Sequence, residues 1–130
     1  MVIDTSALVA ILTREQSAER LMAAIDDDTR RLISAATVVE LSLVMLGRYG
    51  EAGDGQIDRL LAAIHATVVP VDKDHVSLAR DAALRFGRGR NAAALNFGDC
   101  FSYALSAESG EALLFVGNDF TQTDVSVFPW

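Results

Sequence analysis

The stretch Val2-Ile3-Asp4-Thr5-Ser6-Ala7-Leu8-Val9-Ala10-Ile11-Leu12 decides the fold. Val2-Ile3-Asp4 is too short for anything but an edge fragment or a buried parallel strand. From Thr5 the chain turns helical, with Leu8, Ile11 and Leu12 on one face. The opening pattern is strand, acid, helix, and the same alternation continues outward. Ser17 caps a predicted second helix carrying Leu21, Met22 and Ile25, and the polar run Asp26 to Arg30 separates it from a short strand, Arg31-Leu32-Ile33-Ser34. Thr37 opens an apolar helix through Leu46, stopped by Gly47 and Gly50. A glycine-rich link (Gly50, Gly53, Gly55) leads to Ile57, Leu60, Leu61 and Ile64 at helical spacing, then to the β-branched stretch Thr67 to Val71. Asp74 caps the next predicted helix, whose apolar side is Val76, Leu78, Ala79, Ala82, Ala83 and Phe86 and which Gly87 ends. Residues 88–96 show no period and read as a mobile loop. Asp99 starts a helix to about Glu108, Ala112 to Val116 is an apolar run of the kind covered on both faces, and Val125 to Phe128 is a last short strand. Strands alternating with helices predict an α/β fold, a mainly parallel sheet covered by helices, in a single domain over residues 1–130.

The 130 residues are 51% hydrophobic and 22% charged, enough for one compact domain with a real core. Eighteen Asp and Glu against 11 Lys and Arg give a formal charge of −7. The protein as a whole therefore repels nucleic acid, and any polyanion contact needs a local basic patch or a bridging metal. A non-specific basic coat for DNA is excluded. The single cysteine, Cys100, excludes an internal disulfide and a cysteine-based zinc site, and His65 and His75 cannot build a His-rich one alone. No basic leader precedes Val2 and no apolar run reaches the ~18 residues a transmembrane helix needs, so the expected home is the cytoplasm, with no membrane role.

Ligands of such a sheet bind outside the carboxyl ends of its strands. Four acids stand where they can face that edge: Asp4 after the first strand, Glu40 at the start of the Thr37 helix, Asp99 at the start of its helix, and Asp119 just past Phe115-Val116. Singly, each has a plain structural explanation. Asp4 and Asp99 serve as N-caps, Thr37-Val38-Val39-Glu40 is a capping box as written, and Gly117-Asn118-Asp119 is an Asx turn. Together they read differently, because converging carboxylates repel one another and rise in pKa unless a cation sits among them. Hard oxygen donors without Cys or His select Mg²⁺ or Mn²⁺ over zinc, and such a cation suits phosphodiester hydrolysis.

Four segments, in order, carry a family resemblance: Val2-Ile3-Asp4-Thr5-Ser6-Ala7-Leu8, Ala36-Thr37-Val38-Val39-Glu40-Leu41, Phe97-Gly98-Asp99-Cys100-Phe101-Ser102-Tyr103-Ala104-Leu105 and Gly117-Asn118-Asp119-Phe120. The chain resembles PIN domains over essentially its whole length, most of all the VapC-type toxic ribonucleases of bacterial toxin–antitoxin pairs. The resemblance implies a three-layer α/β/α sandwich, Mg²⁺-dependent endoribonuclease activity on RNA, a homodimer, and inhibition by a VapB-type antitoxin in a hetero-oligomer. By that matching Asp4, Glu40 and Asp99 take the central catalytic and metal positions, and Ser6 is the hydroxyl that supports the first. Asp119 takes the fourth catalytic position, with Gly117 and Asn118 standing where many relatives carry a further acid.

Arg80, Arg85, Arg88 and Arg90 form the densest basic stretch of an acidic chain. Arg85, Arg88 and Arg90 are the candidates for guiding an RNA backbone toward the acids, against the alternative of a solvated face paired with Asp81. His65 and His75, at predicted helix ends, read as structural or solvated, and Cys100 reads as a small core residue. Rival readings differ at named positions. A phospho-accepting receiver needs a lysine after a late strand, and the only lysine is Lys73. A haloacid-dehalogenase-like phosphatase needs Asp where Ser6 stands. A non-catalytic binding module would keep the fold and tolerate loss of the acids.

Overall fold

A computed structural model describes all 130 residues, Met1–Trp130. Four strands, β1 (Val2–Ile3), β2 (Leu32–Ser34), β3 (Thr67–Val69) and β4 (Leu113–Leu114), pair in parallel in the order β3-β2-β1-β4. Alternation along the strands divides the interior. Val2, Leu32 and Leu113 enter one hydrophobic cluster, while Ile3, Ile33 and Leu114 enter another. The Ile3 cluster is closed by α1 (Thr5–Leu12), α2 (Ala18–Asp27), α3 (Ala35–Tyr49) and α4 (Glu51–Ala63), through Leu8, Leu21, Ile25, Leu41, Met45 and Ile57. The Val2 cluster is closed by α5 (Lys73–Phe86) and α6 (Phe97–Ser109), through Ala79, Ala82, Phe86, Tyr103 and Leu105. This is the expected three-layer α/β/α sandwich, with β1 as a buried inner strand. No helix is long and apolar enough to cross a membrane.

The chain lays down β1, β2 and β3 in one direction and then returns to place β4 on the other side of β1. Connections after β1 and β4 therefore diverge, and a crevice opens between them at the carboxyl edge. The last residues close the molecule without a regular strand: the expected strand at Val125 to Phe128 is reduced to a single bridge, Leu113 to Val127. Trp130 Nε1 donates to the Phe115 carbonyl at 3.0 Å, and Arg20 of α2 lies over the indole ring at 5.2 Å.

Several predicted boundaries need correction. The glycine-rich link is not a link: α3 continues through Gly47 to Tyr49, Gly50 turns the chain with φ 63°, and α4 begins at Glu51 and contains Gly53 and Gly55. Gly53 is where the two helices touch, since a Cβ there would stand 2.8 Å from the Met45 carbonyl oxygen. Three helices start earlier than their apolar periodicity indicates. Ser34, and not Thr37, caps α3; Asp72, and not Asp74, caps α5; Asn96, and not Asp99, caps α6. In each case the first turn is satisfied by a polar side chain at the end of a strand or loop, ahead of the residues that mark the buried face. Ser17 does precede α2, but its side chain makes no capping hydrogen bond. Residues 88–96 are irregular, yet anchored: the Leu95 amide donates to the Phe86 carbonyl at 2.9 Å, and Ala93 and Leu95 are buried.

Candidate active site

Each acid comes from a different element. Asp4 follows β1 and caps α1: its Oδ2 accepts from the Ser6 amide at 2.9 Å and from Ser6 Oγ at 2.6 Å, and its Oδ1 accepts from Ser102 Oγ at 2.7 Å. Ser6 Oγ in turn accepts from the Val116 amide at 3.0 Å, which ties the end of β1 to the chain leaving β4. Glu40 lies in the second turn of α3, outside any capping box. Its Oε2 accepts from Thr5 Oγ1, and its carboxylate rests on the backbone of Gly98, where a Cβ would stand 2.0 Å from Oε1. Asp99 occupies the first turn of α6, its Oδ2 accepting from the Asn96 amide at 2.7 Å while Asn96 Oδ1 accepts from the Asp99 amide at 3.0 Å. Asp119 is exposed and opens a short 3-10 turn, Asp119–Gln122.

All four acids line one cavity of about 310 Å³ at the carboxyl edge, joined there by Glu15 and Arg48. Their fields overlap. Burial pushes Asp99 up to about 6 against the pull of the Asn96 amide, and the charges of Asp4, Asp119 and Glu40 add to the rise. Glu40 is raised first by burial and then by Asp4, in spite of the hydrogen bond from Thr5. Both oxygens of Asp4 are fixed by donors, while one oxygen each of Glu40 and Asp99 has no donor within the protein. A mutually repelling set of carboxylates, Asp4 and Asp99 buried, Glu40 half-buried and Asp119 exposed, with uncommitted oxygens on Glu40 and Asp99, fits a hard divalent cation, Mg²⁺ or Mn²⁺, and contains no soft donor for zinc. Asp4, Glu40 and Asp99 are the residues that would hold it.

A second acidic group, Asp72, His75 and Glu108, has a different geometry. His75 Nδ1 lies 3.2 Å from Asp72 Oδ1, and Nε2 lies 2.6 Å from Glu108 Oε2 in a close but bent contact. The carboxylates sit at the two nitrogens of one buried ring, an arrangement that joins the start of α5 to the end of α6, and one ligand atom from each of the three residues lies within 4.8 Å of the others. His65 is exposed at the end of α4. Cys100 is buried, and burial followed by the charge of Asp99 raises its thiol, the opposite of what a nucleophile needs.

The predicted basic stretch divides. Arg85 is committed within the protein: it pairs with Asp81 and Asp124 and donates to Tyr103 Oη, while Tyr103 donates to Asp124 at 2.8 Å. Arg88, together with Arg80, lines a mainly apolar cavity of about 470 Å³ beside Phe97 and Phe101, which meets the acid cavity at Asn96. Arg90 is exposed in the loop, and neither Arg88 nor Arg90 forms an ion pair. Sequence reading gave no role to Thr5, Gly98, Ser102, Asn96, Glu15 or Arg48. Thr5 meets Glu40 across 35 residues and Ser102 meets Asp4 across 98, so no local pattern signals either contact.

A family model described as PIN domain matches residues 1–126. A ribonuclease VapC of Mycolicibacterium smegmatis is 50% identical over 126 residues, covering 97% of this chain and 98% of the relative. Among solved structures, the Mycobacterium tuberculosis toxin VapC20, described as cleaving the Sarcin-Ricin loop, superposes with a TM-score of 0.79 at 19% identity, covering 98% of each chain. A toxin–antitoxin complex from Klebsiella pneumoniae gives a TM-score of 0.73 at 17% identity, covering 99% of this chain and 97% of that one. At those identities the two structures show the fold.

Proposed function

The chain belongs to the PIN-domain family, among its VapC ribonucleases, and from that premise we propose that it is an Mg²⁺-dependent endoribonuclease, with Mn²⁺ able to substitute, acting in the cytoplasm as the toxin of a VapBC pair. The observation that carries this reading is the meeting of Asp4, Glu40, Asp99 and Asp119 in one cavity from four separate elements. A cation held by Asp4, Glu40 and Asp99 supplies neutralisation of the phosphodiester and a lowered pKa for water. The remaining work falls to side chains. Ser6 and Ser102 hold Asp4 in a single orientation. Thr5 and Gly98 fix Glu40 so that its one free oxygen is available to that cation. Asp119 adds negative charge at the exposed rim, and Arg88 and Arg90 contact the RNA backbone and position it.

In-line attack by water leaves a 5′-phosphate and a 3′-hydroxyl. The test is incubation of the purified, antitoxin-free protein with total and defined RNAs, with and without Mg²⁺, beside Asp99→Asn. Cleavage that requires Mg²⁺, fails in the variant and leaves 5′-phosphate ends supports the reading. A 2′,3′-cyclic phosphate product would make the RNA 2′-hydroxyl the nucleophile and overturn the mechanism.

The partners follow from charge and exposed apolar surface. A carboxylate cavity attracts a guanidinium, so a VapB-type antitoxin inhibits by placing an Arg or Lys among the acids, and high Mg²⁺ weakens that inhibition. Val39, Leu43 and Phe97 are 60%, 67% and 80% exposed and lie around one shallow apolar depression on α3 and the start of α6. A second copy of the chain covers this face in a homodimer, onto which the antitoxin assembles as a hetero-oligomer.

A further inference from the structure

The acid cavity has one cation in its wall. Arg48 lies in the last turn of α3, on the same stripe as Val44 and Glu40, and all three line the cavity. It is exposed and takes part in none of the ion pairs of the protein, although Asp4, Glu15, Glu40, Asp99 and Asp119 line the same cavity. Arg30 and Arg85 show the contrast, each being paired with a carboxylate. A guanidinium left unpaired beside five carboxylates is not there to neutralise them. Eight positions of helix separate Arg48 from Glu40, about 12 Å between their backbones along the axis, so Arg48 joins the cavity wall about two turns from the Glu40 backbone.

Resting on the ribonuclease reading, we propose that Arg48 is a positioning residue that grips a backbone phosphate of the RNA strand a few nucleotides from the scissile bond. The acids around it make this grip necessary. A chain of net charge −7 repels the polyanion, and the wall that holds the acids would repel it most. A forked guanidinium matches a phosphate, and being free it has no ion pair to break on binding. On the far side of Asn96, where the two cavities meet, Arg80 and Arg88 offer the next cations. The strand is thus held on both sides of the acids and presented across them.

The test is binding of a labelled single-stranded RNA oligonucleotide of mixed sequence, followed by fluorescence anisotropy over a range of salt, together with cleavage kinetics of total tRNA. The proteins are wild type, Arg48→Ala, Arg48→Lys and, as a control on α4 away from the cavity, Arg59→Ala. Arg48→Ala should raise Kd and KM about 10-fold with kcat nearly unchanged, and lower the salt slope by about 0.7. Arg48→Lys should recover most of the affinity, and Arg59→Ala should match wild type. An Arg48→Ala protein with wild-type Kd, KM and salt slope overturns the proposal, as does an equal loss in Arg59→Ala. RNA binding that depends on Arg48 without any cleavage by the wild type would leave Arg48 in place and refute the ribonuclease reading. A wild type that binds no RNA would refute both.

Discussion

Gly98 shows how one residue sets the geometry of another. Its missing side chain is the space in which the Glu40 carboxylate lies, and Thr5 closes that space from the other side. Gly98→Ala should therefore push Glu40 off its hydrogen bond, cutting kcat by at least about 10-fold while circular dichroism stays native; an unchanged rate would show that Glu40 does not need this seat. Asp99 allows a prediction with a sign. Its carboxyl titrates near 6 in the folded, metal-free protein, above its ordinary 3.8, so its ionised form is disfavoured by folding. The native state is unburdened below about pH 4, loses stability as pH rises from there to about 6, and carries the full penalty at neutral pH. Asp99→Asn should then raise the metal-free stability at pH 7 by about 1–2 kcal/mol, allowing for solvent screening, with no gain at pH 3.5, while lowering cleavage at least about 100-fold. Thermal melts at the two pH values in EDTA read the first effect and RNA cleavage the second. A variant that melts below wild type at pH 7 would mean that the carboxylate is structurally needed.

At the scale of elements, Arg85 marks the boundary between what the sequence told and what it could not. Four arginines within a short stretch of an acidic chain drew attention as a possible RNA contact, but Asp124, which claims Arg85, lies 39 residues further on. The contact binds α5, the tail and Tyr103 of α6 into one unit. Arg85→Ala is expected to lower Tm by several degrees with KM for RNA little changed, whereas Arg88→Ala with Arg90→Ala should raise KM and flatten the salt dependence without a loss in Tm; the reverse pattern would assign the RNA contact to Arg85. The alternation of strands and helices was legible because burial imposes a period on neighbouring residues, and so was the set of acids at strand ends. Helix starts were not. Apolar spacing reports the face that packs, whereas Ser34, Asp72 and Asn96 cap turns that begin before that face does. The partners Thr5, Ser102 and Gly98 were equally hidden, since each acts on an acid brought near only by the crossover of the chain between β1, β2 and β4.

For the molecule as a whole, the exposed face of α3 bears on assembly. If the proposed homodimer forms through this face, Val39→Glu combined with Leu43→Glu should give a monomer in sedimentation where the wild type gives a dimer, leaving Tm within a few degrees, because neither side chain belongs to the buried clusters. A variant that still sediments as a dimer would place the contact elsewhere. The closure of the chain by Trp130 has a further use. It is the single tryptophan, and its indole lies between Arg20 and the Phe115 carbonyl and packs against the Ile3 cluster. Its emission is therefore a built-in optical gauge of one event, the lifting of the tail from α2 and from the chain after β4. In a denaturant titration the emission should shift red before helical ellipticity falls, reporting a local opening that far-ultraviolet signals pass over. Coincident curves would mean that the tail opens only with the whole domain, and the same indole would then time global unfolding without any added label.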